Sequence, residues 1–382
     1  MLFLAPDLKK QLEATVEKFL SERYGFEQRQ EIVASDTGYC ANNWQQFAEL
    51  GWLSVPFEEQ YGGANGNVFD TIDMLKMFGR ALVVEPFIST LGLVGTAIQA
   101  SDNQHWKEAL IPQFISGEKI GALAFEEMGS RGNPACIRTT AVPEGNGYRL
   151  QGKKIAVLNA PQADVLLVSA RTSGELTDRT GISLFLIPLD QAGITLEAYT
   201  TVDGHRAANI EFDLQVSEEA LLTDAGEGYP VLSRAIEHGM LMLSAEAIGI
   251  MQMLLDTTVE YTNTRHQFKV PLSTFQVLRH SMADMFVELH RADALLENLA
   301  EQLSAGNGYS ETQLRILKAQ VARSGRTVGA SAIQLHGGMG MTDELIVGHA
   351  VKRLATISQL LGNADFHLKQ LWSSSNVSKV HD

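Results

Sequence analysis

Thr264-Arg265-His266-Gln267-Phe268, with Gln276 downstream, and Gln334-Leu335-His336-Gly337-Gly338-Met339-Gly340 are the stretches that decide how this chain of 382 residues is read. Each closes a long run of apolar residues at three- and four-residue steps, the period of a helix with one buried face. Such runs predict helices over about 233–264, 272–304, 310–335 and 344–371, a four-helix bundle. In the first stretch an arginine at a helix C-terminus can fork a pyrophosphate, because its rigid donors match two oxygens. Phe268 offers a flat face to an adenine or a ring edge. The same residues also read as an arginine that neutralises its own helix terminus beside a core phenylalanine. In the second stretch, closely spaced glycines bare N–H groups that suit a phosphate or a flavin ribityl chain, and Gln334 adds an amide donor. The plainer alternative is a glycine-terminated helix with a tight turn.

Working outward, residues 7 to about 115 also carry the helical period, as in Leu8, Leu12, Val16, Phe19 and Leu20, then Trp44, Phe47 and Leu50 before a stop at Gly51. Tyr61-Gly62-Gly63-Ala64-Asn65-Gly66 reads as a loop, and Asp70–Gly79 and Val94–Ala100 as further helix. Between 119 and 215 the period shortens. Apolar segments such as Val165–Val168 and Ile182–Ile187 are bounded by Glu144–Gly147, Asp190–Gly193 and Asp203-Gly204, which predicts short strands in a small barrel or sandwich. Gly152–Ala160 reads as strand and turn, with Asn159 either capping the turn or touching a ring. The expected architecture is mainly α with a β middle domain: an N-terminal helical domain over 1–116, a small β-barrel or sandwich over 117–225, and a C-terminal four-helix bundle over 226–382. Trp372–Asp382 reads as a polar, frayed tail.

Composition narrows the function. With 30 Lys+Arg against 45 Asp+Glu the net charge is −15, which disfavours nucleic-acid or anionic-membrane binding as the main role. An apolar fraction of 45% is ample for a large core. Cys40 and Cys136 show neither disulfide-framework nor zinc spacing and are expected as free thiols, and no metal site is expected. The start MLFLAPDLKK lacks the layout of a secretory signal, and no run approaches the ~20 apolar residues of a membrane span, so the expected location is cytoplasmic. No Gly-x-Gly-x-x-Gly follows a strand, and no Gly-x-Ser-x-Gly or His-Glu-x-x-His occurs.

These segments together resemble the acyl-CoA dehydrogenase family over nearly the whole chain. The two quoted stretches carry the resemblance, supported by Glu49-Leu50-Gly51-Trp52, Tyr61-Gly62-Gly63 and Phe78-Gly79-Arg80. Within the family the chain looks most like the bacterial branch whose small subunits pair with a larger homologous subunit and act on bulky or carboxylated acyl-CoAs, the pimeloyl-CoA and steroid side-chain type. The resemblance implies FAD as cofactor, an acyl-CoA substrate and electron-transfer flavoprotein as electron acceptor. A carboxylate removes the α-proton of the thioester and the flavin accepts the β-hydride. It also implies Arg265, Phe268, Gln276, Gln334, Gly337 and Gly338 as the cofactor-binding set, which a neighbouring subunit donates to the ADP arm of the flavin.

The departures from the family pattern are specific. One family position for the base falls on Leu361, just before Gly362; the other falls on Gly239, followed by Met240 where arginine is usual. The Thr-Glu-Pro ring motif reads Glu126-Glu127-Met128, and Lys269 replaces a usual glycine. Glu246, two turns along the helix from Gly239 and flanked by Leu243, Ala245, Ala247 and Ile248, is the candidate base, since a carboxylate there is costly to bury without a task. Glu237 and Asp365 are further substitutes. The surviving half of the site suggests an α2β2 assembly in which this chain completes the flavin site of a larger homologue; a homo-oligomer, a catalytically silent partner subunit and a cofactor-free helical scaffold are the alternatives.

Overall fold

The structure, a computed structural model, describes residues 6–377, with side chains placed from 7 to 373. The N-terminal part holds α1 (Pro6–Arg23), α2 (Phe26–Ala34), α3 (Ala41–Glu49) and α4 (Val68–Ala81), then a π-helical stretch (Ile88–Gly95) that runs into α5 (Thr96–Ala100), and α6 (Gln104–Ile115). Gly51 takes φ 79°, so it does end the helix over Trp44–Leu50. A capping box starts α4: Asn67 Oδ1 accepts from the N–H of Phe69 and Asp70, and Asp70 returns a bond to the Asn67 N–H.

The middle part is a single twisted sheet of β1 (Gly121–Ala124), β2 (Thr140–Glu144), β3 (Gly147–Leu158), β4 (Val165–Arg171), β5 (Ile182–Pro188), β6 (Ile194–Thr200) and β7 (Arg206–Ser217). The order is β1-β4-β2-β3-β7-β6, with β5 against β4. The expected turn at Glu144–Gly147 joins β2 to β3. The β3–β7 register slips between Lys154 and Val157, where Ala156 has φ 51°. That bulge re-aims the end of β3 toward the helical domains.

The C-terminal part begins with α7 (Tyr229–Thr264). A hairpin of β8 (His266–Gln267) and β9 (Val270–Pro271) leads to α8 (Gln276–Ser304), then α9 (Glu311–His336), α10 (Ile346–Gln359) and α11 (Ala364–Val377). The bundle forms as expected with two corrections. The run 344–371 is two helices, parted where Leu361 (φ 56°) and Gly362 (φ 93°) both take positive φ. The tail forms helix as far as Val377; residues 378–382 lie outside the described residues, as do the first five of MLFLAPDLKK. α7 is also long and apolar enough to cross a membrane by length and composition, contrary to the sequence reading, but 89% of that window is buried within the protein. It is the axis of the core. Gly79 and Gly249 let α4 and α7 touch backbone to backbone: a side chain on either would strike the carbonyl of Glu246 or of Lys76. This contact fixes the face of α7 that carries Glu246.

Candidate active site and cofactor surface

The arginine segment sits at an exposed tip. α7 ends at Thr264, and Arg265 turns to extended backbone while its N–H still reaches the Tyr261 carbonyl at 2.8 Å. The hairpin closes through Phe268 (φ 53°) and Lys269 (φ 69°), a two-residue turn with both central residues left-handed. The usual occupants of such positions are asparagine and glycine, so this tip holds strain in two large residues. Phe268 is 86% exposed, and its ring meets that of Phe275 edge on at 6.1 Å. Phe268 is therefore no core residue. Leaving such a ring in water forgoes roughly 1.5–3 kcal/mol of burial, which a ligand or partner would recover. Arg265 and Gln276 are exposed beside it.

The glycine segment lies next to this tip. The rings of Tyr261 and His336 stack with centroids 4.4 Å apart, and the Tyr261 hydroxyl donates to the His336 carbonyl at 3.4 Å. His336, whose imidazole pKa is lowered by burial, also bonds the Ala332 carbonyl through Nδ1. Gly337 follows with φ 62° and ψ −143°, backbone that only glycine adopts at low cost. A Cβ on Gly337 or Gly338 would meet nothing within 4 Å, so both glycines border open space; the Gly337 N–H is taken by the Gln334 carbonyl, and Gln334 is exposed one turn back. All six residues read from the sequence as cofactor ligands thus lie on two adjoining, solvent-facing segments.

A cavity of about 550 Å³ lies between the middle sheet and the α10–α11 turn. Leu123, Phe125, Ala156 and Leu158 form its sheet side; Leu361 and Phe366 face them. Glu126, at the ring-motif position, lines the cavity but is engaged: it accepts from the Ser130 hydroxyl and from the Gly132 N–H. Glu127 points away into a buried pair with Lys154 at 2.7 Å and takes the N–H groups of Arg138 and Thr139. Burial draws the Lys154 ammonium down to about 8, while Lys154 and those N–H bonds hold the Glu127 carboxyl below its usual range despite burial. A Cβ on Gly239 would sit 2.5 Å from Leu93 Cδ2 and 2.9 Å from Leu361 Cδ1. Gly239 and Leu361 therefore converge on one point of the cavity wall, and hydrocarbon fills it.

Three family models match in series: the N-terminal domain of acyl-CoA dehydrogenases over residues 6–118, the middle domain over 122–215 and the C-terminal domain over 226–374. The chain belongs to the acyl-CoA dehydrogenase family. It is 27% identical over 360 residues to isovaleryl-CoA dehydrogenase of Pongo abelii, covering 90% of this chain and 83% of that one. Among solved structures it is similar to the Tcur3481–Tcur3483 steroid ACAD (TM-score 0.88, 25% identity, 98% and 99% covered). It also shares its fold with the ChsE4–ChsE5 complex of Mycobacterium tuberculosis (TM-score 0.88, 22% identity, 98% and 99% covered).

For an acyl-CoA dehydrogenase, the carboxylates of this chain are unusually placed. Glu246, the candidate base, is engaged by its surroundings. Its oxygens accept from Arg353 Nε at 2.6 Å and Nη2 at 2.7 Å, and it lines a separate cavity of about 30 Å³ rather than the large one. Arg353 also donates to Asp203 at 2.9 Å, and Asp203 holds His205 at 3.3 Å. The two carboxylates keep the Arg353 guanidinium well above its ordinary pKa despite burial. A base must be free to accept a proton, and Glu246 is instead one corner of a buried charge cluster that ties α7, α10 and the β6–β7 turn. Glu237 accepts from Ser233 at 3.3 Å and does not line the large cavity; burial raises its carboxyl. Of the substitutes, only Asp365 reaches that cavity, at an exposed position on its rim. The sequence reading missed Arg353, whose lone charge on the buried face of α10 was the available signal. Among the described residues, no group of three or more His, Cys, Asp or Glu is placed to hold a metal.

Proposed function

We propose that this chain is one subunit of a FAD-dependent acyl-CoA dehydrogenase, paired with a larger homologous subunit in an α2β2 assembly. It donates the ADP-arm half of the flavin site through Arg265, Phe268, Gln276, Gln334, Gly337 and Gly338. FAD, when bound, takes the β-hydride of an acyl-CoA whose α-proton a carboxylate removes. The observation that carries the reading is an imbalance. The ADP-arm elements are intact, exposed and open, whereas leucine fills the point where both family base positions meet. The exposed set fits an ADP arm: unfilled space beside Gly337 and Gly338, a bare aromatic ring and an exposed guanidinium. The ring side fits less well, since Glu126 stands in the Thr-Glu-Pro position and caps its own loop.

In this reading the partner supplies the base, the domains divide at 1–116, 117–225 and 226–382, electron-transfer flavoprotein takes the electrons, and the assembly works in the cytoplasm. Two solved relatives that each join two differently named chains, the Tcur3481–Tcur3483 steroid ACAD and the ChsE4–ChsE5 complex, support the heteromeric arrangement. The filled base point favours a second reading, a structural subunit that performs no chemistry. Purification of the chain alone and co-expressed with a larger homologous subunit separates the possibilities. Little flavin and no turnover alone, with flavin and turnover in the complex, is expected. A yellow, active homotetramer with one flavin per chain would refute the assembly.

A further inference from the structure

A second large cavity, about 480 Å³, lies on another face of α7, away from the acyl-CoA dehydrogenase cleft. Its polar wall is Arg234 and His238, one helical turn apart on α7, with Tyr309 from the α8–α9 connection. Asn67 at the start of α4 and Gln99 on α5 complete it. The Arg234 guanidinium lies over the Tyr309 ring at 3.9 Å, and His238 Nδ1 is 2.6 Å from the Tyr309 hydroxyl. Among the described residues no carboxylate pairs with Arg234. An acidic neighbour on α7, Glu237, bonds Ser233 and feels the Arg234 charge without forming an ion pair with it.

The hydrogen count of this cluster matters. Burial and the neighbouring Arg234 lower His238 to about 4, and burial raises the Tyr309 hydroxyl well above its ordinary value, so both rings are neutral near pH 7. Together they then own one N–H and one O–H. The bond between them uses one of these hydrogens. Whichever tautomer holds, the other remains without a protein acceptor among the described residues. Arg234 is exposed at the edge of the cavity, and its guanidinium, with no carboxylate of the described residues within ion-pair distance, stands beside an unused neutral donor, a set of donors open to an anionic acceptor.

We propose that this cavity is a second ligand site, for a small anion that carries a carboxylate or phosphate group. Arg234 holds the charge, Tyr309 keeps the guanidinium planar to the ligand, and the His238–Tyr309 pair adds a neutral donor. None of the six residues of the cofactor surface lines this cavity.

The test uses the full chain at constant ionic strength, titrated with inorganic phosphate in one arm and succinate in the other. Calorimetry gives affinity and stoichiometry. The His238 ring resonance, assigned by its loss in His238→Gln, reports location. One saturable site per chain is expected for at least one anion, with a shifted His238 resonance. Arg234→Gln should weaken binding tenfold or more, and Tyr309→Phe several-fold. Phosphate preference marks a phosphorylated ligand; succinate preference marks a carboxylate. If Arg234→Gln does not fold, Arg234→Lys keeps the charge but loses the stacked fork, and should still weaken binding several-fold. No saturable binding of either anion, or binding that the Arg234 variants leave unchanged, would overturn the proposal.

Discussion

Tyr261 and His336 stack face to face, with ring centroids 4.4 Å apart and planes 25° from parallel. The pair joins the end of α7 to the turn after α9. It thereby sets the tip bearing Arg265 and Phe268 against the turn bearing Gly337 and Gly338. Neither segment is buried enough to hold the other in place by packing alone.

Tyr261→Ala should therefore loosen that registry. An aromatic pair contributes about 0.5–1.5 kcal/mol beyond its buried area. The flavin affinity of the assembled complex should fall roughly three- to tenfold, read by fluorescence on reconstitution. Tyr261→Phe should leave it nearly unchanged, since the 3.4 Å hydroxyl bond is long.

The hairpin tip makes a second prediction. Lys269 sits at φ 69°, a conformation that costs a side-chain-bearing residue about 1–2 kcal/mol. Lys269→Gly should stabilise the isolated chain by about 1 kcal/mol in urea unfolding, with an unchanged slope. A loss of stability would show that Lys269 makes a contact the left-handed turn does not reveal.

Glu246 offers a direct contrast between structure and catalysis. Glu246→Gln leaves Arg353 buried with one charge partner fewer, and should destabilise the chain by about 3–5 kcal/mol. Turnover per folded complex should change less than twofold. A complex that stays folded but loses activity a thousandfold would restore Glu246 as the base.

Lys318 sets a pH dependence. Its Nζ is buried and donates to the carbonyls of Ile357 and Gly362, on either side of the turn that carries Leu361. Burial lowers its pKa from 10.5 to about 7. Between about pH 7 and 10.5 the unfolded chain thus holds a proton that the folded chain has released, so stability from this group rises with pH there. The slope tends toward about 1.4 kcal/mol per pH unit for one proton. Chemical unfolding at pH 7, 8 and 9 should show the rise, and Lys318→Met should flatten it.

Much of this fold is legible from local pattern. The helical period marks α7 to α9, and turn residues mark the β2–β3 hairpin. Glycine clusters mark the turn after α9, because only glycine takes φ and ψ like those of Gly337 cheaply. The break between α10 and α11 escaped because Leu361, an ordinary helix former, is held at positive φ by tertiary contacts, among them the Lys318 and His367 bonds to the turn. The role of Glu246 escaped for a different reason. Its partner Arg353 lies 107 residues away, and no local pattern records such a pairing. The meeting of Gly239 and Leu361 at one point likewise emerges only in three dimensions.

The central claim is that this chain lends its arginine-and-glycine surface to a flavin in another subunit. The most direct measurement is flavin content of the co-expressed complex with Arg265→Ala in this chain alone. The account predicts a folded complex of unchanged subunit ratio whose flavin occupancy falls at least several-fold and is recovered in part by excess FAD. Full occupancy and unaltered turnover in that variant would contradict it.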